Sequence, residues 1–86
     1  MRKTKERAER DEQESDALRA ADAAVAELKE ALARVGMSLP SLRAGMPVNG
    51  SGFVELGGCN AGAASRLAKI FNAAADALPE LRATGP

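Results

Sequence analysis

Histidine, tryptophan and tyrosine are absent from this 86-residue chain, and cysteine occurs once, at Cys59. One cysteine cannot close an intrachain disulfide. Without a histidine or a second cysteine, the usual zinc ligand sets cannot be assembled, so no metal or haem site and no cofactor is expected. The chain never runs eighteen apolar residues together, and Met1 to Asp16 is charged throughout. Neither a spanning helix nor a secretory hydrophobic region is predicted, and the expected setting is cytoplasmic, away from membranes, with a reduced thiol at Cys59.

A charge excess of either sign is missing too. The twelve basic and twelve acidic residues cancel, five against six in Met1 to Asp16 and seven against six in the remainder. A grip on nucleic acid through phosphate neutralisation needs a clustered basic surplus, and none is visible.

Bulky apolar side chains are scarce. The hydrophobic fraction is 45%, yet nineteen of those residues are alanine, against nine leucines, four valines, one isoleucine and two phenylalanines. Alanine contributes little buried area to a core, but it favours helix and lets backbones approach closely. A chain this short hides only about 60% of its unfolded surface, so its stability is marginal unless another subunit helps. Composition therefore points to helix packing and to oligomerisation.

From Thr4 to Val35 there is no glycine or proline, and Gly36 then stands where a left-handed helix terminus is wanted. One uninterrupted helix is predicted, roughly 45 to 50 Å long at 1.5 Å per residue. Its candidate interface is the stripe Leu18, Ala21, Val25, Leu28, Leu32 and Val35, spaced three, four, three, four, three like a coiled-coil seam. The stripe is open to packing within the chain, packing on another chain, or a mixture of the two. Ahead of it, residues 1–16 carry no apolar stripe but place Arg2 with Glu6, Lys5 with Glu9, Glu6 with Arg10, Arg7 with Asp11 and Arg10 with Glu14 at helical spacing. They read as a charged helical or partly disordered extension.

Between Gly36 and Asn60 most of the glycine and proline collects. Leu39-Pro40-Ser41-Leu42 reads as an extended turn. Met46-Pro47-Val48 and Phe53-Val54-Glu55-Leu56 flank Asn49-Gly50, the strongest short-range hairpin signal, with Pro47 restricting the first strand to an edge. After Gly57-Gly58-Cys59, Asn60 is a good helix N-cap, and Leu67, Ile70, Phe71, Ala74 and Leu78 recur at helical spacing until Pro79. The expected fold is mainly α in the order α-β-β-α, with residues 17–79 as one small helix-hairpin-helix domain and 80–86 as a loose tail. The second helix is expected to pack on Ala24 to Val35. The expected core is Leu28, Leu32, Val35, Leu39, Phe53, Leu56, Leu67, Ile70, Phe71 and Leu78.

Two segments raise chemical possibilities. Gly57-Gly58-Cys59-Asn60-Ala61-Gly62 feeds a helix N-terminus, which offers free N–H groups to an anion and lowers a thiol pKa. It lacks the Lys-Ser/Thr of a P-loop and the Gly-x-Gly-x-x-Gly spacing, and no imidazole exists to serve Cys59 as a base. Ala64 to Phe71 resembles a helix of helix-turn-helix repressors, with Arg66 and Lys69 in reach of phosphate, but no second helix three or four residues away completes the motif. An enzyme is not expected.

Leu39-Pro40-Ser41-Leu42, Val54-Glu55-Leu56-Gly57 and Cys59-Asn60 together resemble a pattern in short uncharacterised proteins common in actinobacteria. The resemblance covers Gly36 to Leu78 and implies that hairpin and second helix form a unit; it implies no activity. In that pattern a basic residue often takes the place of Gly58, and the charged lead-in is not shared. The reading is a non-enzymatic module that self-associates, as a dimer first of all, or docks on another protein through its first helix. The alternative is a small DNA-binding or regulatory accessory protein.

Overall fold

The computed structural model describes residues 2–82, with side chains from Glu12 onward; the expected ion-pair ladder of residues 2–14 and the tail residues 83–86 fall outside it. Helix α1 spans Arg2–Arg34, strands β1 and β2 span Arg43–Ala44 and Val54–Glu55, helix α2 spans Ala61–Ala77, and a 3-10 turn, η1, covers Pro79–Leu81. The α-β-β-α order expected from the sequence is the one found.

The predicted stop signal ends α1. Gly36 takes φ +70°, its N–H donates to the Ala33 carbonyl at 3.0 Å, and the Met37 N–H reaches back to the Leu32 carbonyl at 2.9 Å. This paired bonding satisfies carbonyls that a helix end would otherwise leave bare, and it turns Met37 back onto the core beside Leu32. Leu39 to Leu42 then form a turn closed by the Leu42 N–H on the Leu39 carbonyl at 3.1 Å. The turn delivers Leu42, 3% exposed, into the centre of the protein.

Asn49 and Gly50 form the hairpin loop with φ +51° and +78°, the all-positive geometry of a two-residue type I′ connection. Val48 and Ser51 close it through reciprocal bonds of 3.0 and 2.9 Å. The ladder resumes with Ala44 opposite Val54 and Arg43 opposite Glu55. Three residues on one arm face two on the other between these pairings, so the first arm carries an extra residue at Gly45-Met46-Pro47, where proline has no N–H to give. The regular first strand therefore lies upstream of the expected Met46-Pro47-Val48. An Arg43–Glu55 ion pair spans the two strands on the exposed side.

The hairpin lies along α1. A Cβ on Gly52 would stand 2.7 Å from the Ala17 carbonyl oxygen and 3.4 Å from the Ala21 nitrogen, so the ribbon meets the helix backbone where alanine leaves room. The buried residues are Ala17, Ala21, Val25, Leu32 and Leu42, with Leu28, Met37, Leu39, Ala44, Val54 and Leu67 packed around the larger three. Four of the five buried side chains belong to one stripe of α1. Gly52→Ala is expected to lift the ribbon tip from Ala17 and cost about 1–3 kcal/mol, as overpacking does. Urea denaturation checks it, and an unchanged midpoint would count against the contact.

Several core expectations need correction. Phe53, Leu56, Phe71 and Leu78 are 47%, 54%, 66% and 47% exposed, and no residue of α2 is buried. Phe53 points out because strand alternation hands the helix side to Gly52 and Val54, leaving its ring beside Gly45. The second helix meets Ala24 to Val35 far more loosely than expected: among the described residues its backbone stays clear of α1, and the closest ties are Leu67 against the core and Arg66 on the Val35 carbonyl. The hairpin and Leu42 already occupy the face of α1 that a second helix would use.

Candidate protein-docking groove

What holds α2 to α1 and the hairpin is a small set of interactions near its N-terminus; at its other end Arg82 donates to the Ala75 carbonyl and to Asp76 Oδ1. Asn60 adopts extended backbone (φ −75°, ψ 167°) and accepts the Ala63 N–H on Oδ1 at 2.8 Å, starting the helix as its sequence predicts. Leu67, half-buried, touches the core. Arg66 Nη2 donates to the Val35 carbonyl at 2.8 Å, placing a cation at the end of α1 where the helix dipole favours it. Arg66 thus ties the two helices together. From sequence it is visible only as a cation for phosphate, because its acceptor is a backbone carbonyl 31 residues away.

Beyond these ties the helices stand apart across a groove of about 220 Å³. Leu28, Ala31, Leu32 and Val35 of α1 form one wall, Leu67, Ile70 and Phe71 of α2 the other, and Leu39 and Leu56 close the end. Every lining residue is apolar. Phe71 and Leu56 stand up at the lips, each more than half exposed. Apolar side chains left in water at this density make the trough a candidate binding surface.

The six residues proposed as an interface are divided by the structure. Ala21, Val25 and Leu32 are buried, covered by the hairpin and Leu42 of their own chain. Leu18 lies at the edge of the covered stripe, 42% exposed, while Leu28 and Val35 face the groove. The seam is therefore not a free strip for a partner: its middle is core and its C-terminal end is groove. Sequence reasoning missed Ala17, a small residue beside a leucine that takes the inward place instead, and Leu42, read as part of a turn. It also placed Ile70, Phe71 and Leu56 in a core, where the structure makes them walls of an opening.

The Gly57-Gly58-Cys59 segment serves geometry. Gly57 has φ +75° and a Cβ there would meet Ser41, so the glycine lets the chain cross the Leu39–Leu42 turn on its way to α2. Cys59 is exposed and free. Among the described residues no His, Cys, Asp or Glu side chains gather as a metal set, and no helix is long and apolar enough to cross a membrane.

No family model matches the chain, and comparison with curated proteins and with solved structures finds no match. Function is therefore read from the groove.

Proposed function

We propose that this protein is a non-enzymatic interaction module that works by presenting the groove between α1 and α2 to an apolar protein surface. The carrying observation is that nine apolar residues line an open trough while α2 buries none of its own side chains. This seventeen-residue helix is held by its cap, Leu67, Arg66 and the bonds of Arg82 to Ala75 and Asp76, and most helical stability in proteins comes from packing of an apolar face, which α2 leaves largely unpacked. A surface laid over the trough would remove Phe71, Leu56 and Ile70 from solvent and complete the packing of α2. The reading keeps the self-association or docking role expected from the sequence but moves its centre from the α1 seam to the trough.

DNA binding has less support. Arg66 is committed to the Val35 carbonyl, which leaves Lys69 as the exposed cation in the middle of α2.

Backbone amide spectra of the isotopically labelled chain, held at low micromolar concentration and titrated with an amphipathic leucine-lysine helical peptide, test the proposal. Shifts confined to Leu28, Val35, Leu56, Ile70 and Phe71 are expected, with no salt-sensitive retention on nonspecific duplex. Silence at the groove together with retention that fades with salt would replace the module by the DNA-binding alternative.

A further inference from the structure

We infer that the occupant of the groove is a second copy of this chain, seated by a two-fold exchange in which Phe71 of each protomer enters the trough of the other. This rests on the groove being the interaction surface and names its partner. Three observations lead to it.

The first is shape. Knob and hole sit side by side on one face: Phe71, two-thirds exposed, stands on the lip of a trough that it also lines. A face carrying both is complementary to itself under a two-fold rotation, the commonest symmetry of soluble oligomers. The hole is also large enough, because about 150 Å³ lined by aliphatic and aromatic side chains suffices for a benzene ring, against about 220 Å³ here.

The second is area. Phe71 and Leu56 are exposed by 66% and 54%, and Leu28, Val35, Leu39, Leu67 and Ile70 are each partly exposed. Taking roughly 150–200 Å² for each fully exposed side chain, the face offers on the order of 400 Å² of apolar surface. A stable interface of standard size takes about 800 Å² from each partner, some 60% of it apolar, so this face supplies most of what is needed.

The third is the absence of polar groups from the lining of the trough. A binding site selects a foreign ligand through a few placed hydrogen-bonding or charged groups. This one can discriminate only by shape, and the matching shape is its own.

The test uses the full chain and two substitutions at sites already more than half exposed, Phe71→Asp and Leu56→Lys. Sedimentation of the unmodified chain over a concentration series should show monomer passing to dimer. Each variant alone should stay monomeric with its helical circular dichroism intact, dimerisation being weakened at least 100-fold, because two like-charged groups enter two apolar holes. Mixed in equal amounts the variants should form a heterodimer, since one of its two holes then pairs the introduced carboxylate with the introduced ammonium, while the other still receives Phe71 against Leu56 and differs only by the carboxylate on its own lip. Phe71→Ala, which adds no charge, should weaken dimerisation by 10- to 100-fold. A chain that remains monomeric to millimolar concentration overturns the inference, while shifts from the helical peptide would leave the interaction module standing. A dimer that persists in Phe71→Asp, or variants that fail to recombine, would show that copies meet elsewhere and overturn it as well.

Discussion

Leu32→Asp is expected to unfold the chain at room temperature, whereas Leu18→Asp, four turns earlier on the same helix, should leave it folded. Leu32 is 5% exposed and is packed with Val25 and Leu42, while Leu18 is 42% exposed at the margin. Truncating a buried leucine costs about 2–5 kcal/mol before any charge is considered. Putting an unpaired carboxylate in that space adds a desolvation penalty of several kcal/mol. A domain of this size has in total on the order of 4–13 kcal/mol, and among the described residues this one buries five side chains, three of them larger than alanine. The carboxylate at position 18 reaches water, so its cost stays near 1 kcal/mol or less. Circular dichroism and urea titration read both variants. Were the α1 seam a contact between chains with an independent fold beneath it, the two substitutions would each change mass without melting the helix; a folded Leu32→Asp monomer would therefore defeat the assignment of Leu32 to the core.

The contrast between these two leucines shows where sequence was informative. Signals that act over three or four residues read through directly: Gly36 ends α1, Asn49-Gly50 makes the primed turn, Asn60 caps α2 and Pro79 stops it. Each depends on backbone geometry that one residue type permits and its neighbours complete. Heptad spacing on α1 was equally plain, but spacing says only that a face is apolar, not what covers it. Whether Val25 meets a hairpin, a second helix or another chain depends on contacts such as that between Gly52 and Ala17, 35 positions apart, which carry no local mark. Small residues deepen the difficulty. Ala17, Ala21 and Gly52 make the closest approach of the hairpin to α1, yet by hydrophobicity they look like surface. The groove was illegible for the same reason: Ile70 and Phe71 have the composition of a core, and only the gap between the helices exposes them.

Gly57→Ala is expected to cost about 2–4 kcal/mol, against almost nothing for Gly58→Lys beside it. Two effects add at Gly57. Its φ of +75° lies where side chains with a Cβ are disfavoured, worth roughly 1–2 kcal/mol. The new methyl would also collide with Ser41 Cβ and stand 3.2 Å from two Ser41 backbone atoms, so a flexible side chain cannot simply swing aside. The turn that carries Ser41 also positions Leu42, and forcing the two apart loosens the core and the lead into α2 together. Gly58 has no atom within 4 Å of its Cβ direction and no positive φ, which leaves a long basic side chain free to extend into solvent. The steric share can be separated from the backbone share with Ser41→Gly, which removes the nearest atom: combined with Gly57→Ala it should recover part of the lost stability and leave about 1–2 kcal/mol from φ alone. Strictly additive losses in that double-mutant cycle, measured by urea titration, would mean that the loop and the turn do not press on one another, and that α2 is held by Asn60, Leu67 and Arg66 without help from the crossing.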